Sequence, residues 1–411
     1  MPSMRCIRQG MQLCGGWLLI SVSATSFGLQ SATVEADIAL GEEGTAAFTQ
    51  RIDKIYISIG DVFDTEDPKE NNALYRLANK IHINTRESVV QDIILFKKGD
   101  VYSTKLLEES ERLLRNQAFI YDAVIRPINI RADKVDIQIY TRDVWTLAVG
   151  GSLSSKGGNN SSSFDLEESN FLGYGKHMKI RAKQGVERNE QSYQYDDPNL
   201  FGSRFTLSLL HSNNSDGKRS KIRFEQPFYA LDTKKSYGFT WQQNDKIDNE
   251  VIFGTGFTAR HQDDFWEGFI GVSRQLKKDK ILRFSYGYTY DQHRFSSISD
   301  AEQDLVPLDL RDSYPWAQVA YIENRFIKSR RIRYLSLTED INLGHDVNFR
   351  LGWTDQNIGS LNDGLIIKVN DKYSTIIHKG ALLSHRFTIN GRVLDGRWTN
   401  GIISSNTEYY F

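Results

Sequence analysis

The chain has 411 residues, 25% of them charged and 39% hydrophobic, and a formal net charge of −1. That balance excludes a polybasic nucleic-acid binder and a disordered acidic tail. Aromatic residues make up 12% of the chain, with 31 glycines and only 4 methionines, a composition that favours strands and turns over helical bundles.

Residues 1–32 have the layout of a secretory signal: Arg5 and Arg8, an apolar core "LCGGWLLISV", then small residues at Val22, Ser23 and Ala24 and again at Ser31 and Ala32. Both cysteines, Cys6 and Cys14, fall inside it, so the mature chain is expected to hold no thiol. That suits an oxidising periplasm and excludes a disulfide scaffold or a thiolate metal site. An uncleaved anchor is the competing reading, but a spanning helix needs about 20 apolar residues and the strongly apolar core is about half that. A lipoprotein reading through Cys14 is opposed by Leu13, where a small residue is expected. Beyond the signal no window approaches the length of an apolar membrane helix, which leaves β spans open because their apolar residues alternate with polar ones. Residues 33–51 are small and polar and read as a linker.

From Ile52 to Arg142 the pattern is mixed. "KIYISI" alternates with period two and puts Ile55, Ile57 and Ile59 on one face. Helix-prone stretches follow at "ALYRLANKIHI" and "RESVVQDIILF". The best helix is "STKLLEESERLLRNQ", opened by two hydroxyl residues suited to capping. Leu106, Leu107, Ser110, Leu113 and Leu114 form one stripe on it, and Glu108–Arg112 and Glu111–Arg115 are acid-first pairs four apart. Its apolar stripe needs a sheet, supplied by the opening strand, "IYDAVIRPINI" and "KVDIQIYTR", with Val135, Ile137 and Ile139 inward. The expectation is an α+β module of order β-α-α-β-β over 52–142.

From Asp143 to Phe411 helix signals cease and hairpins take over. Phe205, Leu207 and Leu209 oppose Thr206 and Ser208; Tyr237, Phe239 and Trp241 oppose Gly238 and Thr240. Leu282, Phe284, Tyr286, Tyr288 and Tyr290 oppose Arg283, Ser285, Gly287 and Thr289; Phe349, Leu351 and Trp353 oppose Arg350, Gly352 and Thr354. A soluble sandwich also alternates, but its inner face is branched aliphatic. An aromatic face with tyrosines toward strand ends, opposite a small or polar face, reads as lipid-facing and lumen-facing sides of a membrane barrel.

Short turns recur at "NFLGYGK", "DPNLFGSR" and "EQPFYALDT", with centres at Leu172, Phe201 and Ala230 spaced by 29 and 29 residues. Two membrane strands and an outer loop fit that interval. The polar stretches "SSKGGNNSSS", "HSNNSDGKR" and "NDKIDNE" between them read as outer loops. The short turns then lie on the periplasmic side, with Phe171 and Tyr174 at the bilayer interface.

The stretch "ANKIHINTRESVVQDIILFKKGDVYSTKLLEESERLLRNQAFIYDAVI" followed by "VDIQIYTRDVW" resembles a POTRA domain. The junction "DVWTLAVGGSLS...NFLGYGK" resembles that between such a domain and the barrel of BamA/TamA-like outer-membrane proteins, the bacterial surface antigen family. The resemblance covers Ile52 to Phe411. It implies a mainly β fold: an N-terminal α+β POTRA module in the periplasm, then an antiparallel transmembrane β-barrel of 16 strands over 143–411 in the outer membrane. It also implies a role in inserting or exporting β-rich proteins. About 12 to 13 strands can be counted after Trp145, short of that number, and the Arg-Gly-aromatic motif of a late family loop is missing. Both departures lead us to expect an incomplete barrel.

No catalytic, cofactor-binding or metal residue is expected. The eight histidines, at 82, 177, 211, 261, 293, 345, 378 and 385, include no pair four apart, and there is no P-loop, dinucleotide fingerprint or Gly-x-Ser-x-Gly elbow. Acidic pairs at Glu167–Glu168, Asp263–Asp264 and Glu339–Asp340 read as solvated turn carboxylates, and "KSRRIR" at 328–333 as charges lining the lumen or meeting lipid phosphates. Asn159, Asn160 and Asn213 match sequons and mark loops only. The expected partners are outer-membrane lipid and unfolded or secreted β-rich clients, with no nucleic acid and no enzyme activity. Clients would dock by strand addition to an edge near "KVDIQIYTR". A passive pore or surface antigen on the same scaffold is the alternative.

Overall fold

The computed structural model describes residues 19–25, 50–186, 188–252, 255–277, 279–298, 306–330, 332, 337–378 and 380–410. The signal segment expected at 1–32, apart from Leu19–Thr25, and the linker expected at 33–51, apart from its last two residues, lie outside them. The chain divides into two compact units, Ala36–Phe224 with Lys328–Asp340, and Glu225–Ile327 with Ile341–Phe411 and Met1–Glu35. β1 (Leu19–Thr25) belongs to the latter.

The α+β module opens the former unit. β2 (Arg51–Gly60) leads through helices α1 (Ala73–Ile81), α2 (Glu87–Ile93) and α3 (Thr104–Arg115) to β3 (Ile120–Ile128) and β4 (Lys134–Asp143). The sheet order is β2-β4-β3, with β4 parallel to β2 and antiparallel to β3. "KVDIQIYTR" is therefore the middle strand, so the edges near it are those of β2 and β3: the helical crossover returns the chain parallel to β2, while the tight link from β3 pairs it on the other side. Val135, Ile137, Ile139 and Thr141 of β4 are 0–1% exposed, as expected for the strand that carries the core. The helices bury Val89, Val90 and Ile93 of α2 and Leu107, Ser110, Glu111, Leu113 and Leu114 of α3.

The helix-prone stretch "ALYRLANKIHI" forms α1, so the module has three helices where the expected order counted two. α1 buries no residue and is held by its cap, where the Asn72 side chain accepts the Tyr75 N–H at 2.9 Å. On α3, Ser103 stands at the N-cap but its hydroxyl makes no capping bond. Glu111–Arg115 pairs as expected; Arg112 instead turns to Glu109, 3.3 Å away.

After the module the chain runs as a meander: β5 (Leu147–Lys156), β6 (Asn159–Glu168), β7 (His177–Gln184), β8 (Glu190–Asp197), β9 (Thr206–Asn214) and β10 (Gly217–Gln226). The stretch expected as the first outer loop is strand down to a two-residue turn at Gly157 and Gly158, with φ of +58° and +84°. Positive φ at both positions matches the twist of the flanking strands, and glycine adopts it without a steric cost.

The other unit holds β11 (Lys235–Ile252), β12 (Thr255–Lys277), β13 (Lys280–Ser297) and β14 (Leu310–Glu323). A small hairpin of β15 (Phe326–Arg330) and β16 (Thr338–Asn342) follows, then β17 (Gly344–Thr354), β18 (Gly364–His378), β19 (Ala381–Leu394) and β20 (Arg397–Tyr410). Counting β5–β14 and β17–β20, the meander has 14 strands among the described residues rather than about 12 to 13. Segments such as β6 and β10 carry little apolar alternation, so counting by pattern passes over them. "NDKIDNE", expected as a loop, lies inside the 18-residue β11. Its polar side chains find partners across the ladder, Arg260 Nε on Asp245 at 2.9 Å and Asn244 Nδ2 on Asp263 at 3.0 Å, so the strand continues beyond its apolar part. β1 runs parallel along β20, from Leu19 opposite Ile402 to Thr25 opposite Glu408.

The aromatic face is exposed as expected: Phe284 44%, Tyr286 60%, Phe349 43% and Trp353 55%. The opposite face is not only small and polar. Trp316 and Tyr314 are 4% and 3% exposed there and cluster with Ile366 and Phe269. Glycines make the room, since a Cβ on Gly287 would stand 2.6 Å from Trp316 Cζ2 and one on Gly352 2.6 Å from Tyr314 Cδ2. The Trp316 indole N–H donates to Thr289 Oγ1 at 2.9 Å, and the Thr289 hydroxyl to Glu267 Oε2 at 2.7 Å. Arg350 donates to the same Glu267 oxygen at 2.8 Å while its guanidinium lies 3.6 Å above the Trp316 ring.

Trp316→Ala is expected to cost about 3–5 kcal/mol by loss of a buried ring, and Gly287→Ala about 1–3 kcal/mol by overpacking. Urea midpoints of the detergent-solubilised chain check both.

Candidate functional site

Two of the strand turns share a local sequence, an acid, any residue, Asn, two apolar residues and Gly: Glu168 to Gly173 and Asp197 to Gly202. In each the carboxylate accepts the Asn backbone N–H, Glu168 Oε1 from Asn170 at 2.8 Å and Asp197 Oδ1 from Asn199 at 3.1 Å. The second apolar residue is left-handed, Leu172 at φ +53° and Phe201 at +54°, and glycine follows at +75° and +69°. A left-handed Leu or Phe costs about 1–2 kcal/mol and persists only where its surroundings over-determine it. Here the surroundings are the α+β module.

The first turn is fastened by a chain of hydrogen bonds with a buried carboxylate at its end. Asn170, 2% exposed, donates through Nδ2 to Thr85 Oγ1 at 2.9 Å and accepts the Gly175 N–H at 2.7 Å. Thr85 donates its hydroxyl to Asp143 Oδ1 at 2.9 Å and its N–H to Asp143 Oδ2 at 2.7 Å; His82 Nε2 lies 3.1 Å from the latter oxygen. The Arg86 N–H donates to Gly173 O at 2.9 Å, and its guanidinium lies 4.0 Å over the Tyr174 ring. A Cβ on Gly175 would meet Phe119 Cζ at 2.9 Å. Arg86 thus faces one side of the Tyr174 ring, while Tyr174 and Phe171, both expected at a bilayer interface, stay 44% and 38% exposed.

The second turn reaches α2. Arg204 donates to the carbonyls of Asp92 at 2.5 Å, Ile93 at 3.2 Å and Ile94 at 2.7 Å, placing a cation at the negative, C-terminal end of the helix. Burial pushes the neighbouring Asp92 carboxyl above its ordinary value, against the pull of Arg204.

The third contact comes from the β15–β16 hairpin, on the α3–β3 side of the module. Arg115 donates Nε and Nη2 to the two oxygens of Asp340, at 2.8 and 2.7 Å, and also pairs with Glu111. Lys328 pairs with the same Glu111, Thr338 donates to Asp122 at 3.1 Å, and Arg330 lies 3.6 Å from Asp122. Side chains of Arg115, Glu111 and Asp340 are only 3–7% exposed. Asp340 is thus a buried ion-pair partner and not a solvated turn carboxylate, and Lys328 and Arg330 of the basic run meet module carboxylates while staying exposed: the hairpin brings its charges opposite those of α3 and β3, a juxtaposition 225 residues apart in sequence for Arg115 and Asp340.

The same pair closes the outer edge of β3. Glu111 Oε2 accepts the Ile125 N–H at 3.0 Å and Arg115 donates to Ala123 O at 2.9 Å. On β2, residues 99–102 cover the first half of the edge: Ile52 N–H donates to Asp100 O, Gly99 N–H to Ile52 O and Tyr102 N–H to Gln50 O. No such backbone bond reaches its second half, 54–60, among the described residues, where Lys54, Tyr56 and Ser58 are exposed. Burial pushes the Glu111 carboxyl up, but Lys328, the Ile125 N–H and Arg115 outweigh it and hold the group below its ordinary value of 4.5.

The repeated acid-x-Asn-Φ-Φ-Gly turn was the available signal for the first two contacts, since it occurs twice at the same spacing. The third had none, because hairpin and helix share no local pattern.

Residues 82–142 match the family model "Surface antigen variable number repeat", POTRA. Over 142 residues the chain is 30% identical to a "Putative outer membrane protein assembly factor" of Treponema pallidum (strain Nichols), a match that spans 32% of this chain and 17% of that protein. Among solved structures it is similar to BamA from Haemophilus ducreyi lacking POTRA domains 1–3, at 14% identity and a TM-score of 0.33, covering 84% of this chain and 57% of that one. It is also similar to CdiB from Acinetobacter baumannii, at 12% identity and a TM-score of 0.39, covering 85% and 53%.

Arg115→Ala strands a buried carboxylate and is expected to cost about 3–5 kcal/mol, whereas Arg330→Ala, on a side chain 70% exposed, should cost under about 1 kcal/mol; denaturation of the two variants separates them. A carboxyl held low when folded stabilises above its ordinary value and loses that contribution as pH falls through the depressed one. The Ile125 amide, which Glu111 accepts, should therefore keep its exchange protection, corrected for intrinsic rates, at pH 6 and lose it in strong acid. In Glu111→Ala, which removes the acceptor, the protection should be low at both.

Proposed function

For a BamA/TamA-like chain that carries a POTRA domain, we propose the function of an outer-membrane assembly or translocation factor for β-rich client proteins. In this reading residues 52–142 lie in the periplasm and 143–411 form the membrane part, with exposed rings such as Tyr286 and Trp353 against hydrocarbon. No cofactor or catalytic residue takes part. A client reaches the module as an extended segment and adds to the sheet by backbone hydrogen bonds.

The observation that carries the reading is the inequality of the sheet's edges. The β3 edge is met by Glu111 and Arg115, which the hairpin holds through Lys328 and Asp340. β4 is interior. The second half of β2 is the edge whose backbone bonds lead nowhere else among the described residues, so the client adds there, on the strand beside "KVDIQIYTR".

A photo-crosslinking residue placed at Tyr56 or Ser58 of the full chain should capture a strand-forming client peptide, and one at Val124 on β3 should not. Ile57→Pro and Ser58→Pro, each removing one backbone donor, should together account for loss of capture. Equal capture at Val124, or capture unaffected by either proline, would defeat the assignment.

A further inference from the structure

We propose that His261, Asp263 and His293 form a binding site for a divalent transition-metal cation of the zinc type. The site is built by strand register. Asp263 of β12 stands directly opposite His293 of β13, and His261 lies two residues before Asp263 on the same face of β12. That face is the one opposite Trp266 and Ile270. His261 Nε2, His293 Nδ1 and Asp263 Oδ1 converge: the two nitrogens are 3.1 Å apart, and the oxygen is 2.5 Å from one and 2.7 Å from the other. Donor atoms bound to tetrahedral zinc stand roughly 3.3 Å apart, from metal–ligand lengths of about 2.0 Å, so a shift of roughly half an ångström by the carboxylate admits the ion.

The second nitrogen of each ring decides what the first can do. His261 Nδ1 is 3.0 Å from Asp248 Oδ2, and His293 Nε2 is 3.2 Å from Asp291 Oδ1. Those carboxylates only accept, so each can take the outward N–H of its imidazole and leave the inward nitrogen to a metal ion. Both inward nitrogens and Asp263 Oδ1 would then supply three electron-pair donors to one cation. An outer carboxylate on a ligating histidine is also the usual means of fixing ring orientation and raising basicity at metal sites. Further contacts hold the donors in place. Asn244 Nδ2 donates to Asp263 Oδ2 at 3.0 Å, Lys246 sits 2.7 Å from Asp248, and the His261 ring stacks on Phe295 at 4.2 Å. Two imidazoles and a carboxylate suit zinc better than magnesium or calcium, which take oxygen ligands. His177 also has two carboxylate neighbours, Glu167 and Asp196, but only one imidazole. The bound ion would clip β12 to β13, with β11 tied in through Asp248.

The test uses the full chain in detergent, carrying Cys6→Ser and Cys14→Ser to remove competing thiols, freed of metal with chelator and titrated with Zn²⁺ by calorimetry. One zinc per chain is expected, with binding lost in His261→Ala/His293→Ala and weakened by about 10–100-fold in Asp291→Ala. Zinc should also move the ring ¹⁵N resonances of His261 and His293 in the histidine-labelled chain and leave those of His177 and His345 in place, a readout that needs no ligand variant to fold. Absence of stoichiometric binding, binding retained by the double variant, or shifts centred on His177 would each overturn the proposal and leave the cluster as an ion-pair network.

Discussion

An extended strand leaves backbone donors and acceptors along both edges, and each must meet a partner or water. In the α+β module β4 spends both edges on β2 and β3. One outer edge is then closed by side chains: Glu111 takes a donor of β3 and Arg115 supplies one to an acceptor two residues away. A salt bridge on a helix thereby acts as a substitute strand. Its charges are balanced by Lys328 and Asp340, so the state of the β3 edge depends on the hairpin between β14 and β17.

The same accounting explains the long strands. β11, β12 and β13 run for 18, 23 and 18 residues, well beyond the roughly 9–11 that cross a bilayer. The ladder where β11 ends, β12 begins and β13 ends is rich in charged residues and reinforced by cross-strand pairs such as Arg260–Asp245 and Arg294–Asp264. Ion pairs of this kind at exposed positions are individually worth under about 1 kcal/mol, so the backbone ladder carries the extension and the side chains set its register.

Attachment of the module follows a different logic, that of a buried acid with both oxygens hydrogen-bonded. Asp143 is fully buried and holds Thr85 and His82, and Thr85 passes the connection to Asn170. Glycine enters at Gly173 and Gly175, where positive φ brings the turn's backbone against Arg86 and Phe119. Three separate turns grip the module, through Asn170, Arg204 and the β15–β16 hairpin, each meeting a different element of it.

Local periodicity was enough to determine the α+β module, its two core helices, the inward face of β4 and the exposed aromatic faces of the later strands. Those features arise from residues two to four apart, and their spacing is written in the chain. Strand number, the interior position of β4, the docking of Tyr174 on Arg86 and the buried Trp316 were decided by tertiary structure. So was the meeting of His261 with His293: a search for histidines four apart finds nothing, because antiparallel register joins residues 32 apart. Pairing partners of a strand depend on turn lengths and crossovers elsewhere in the chain, and the chemistry of a charged residue depends on which partner that register sets before it.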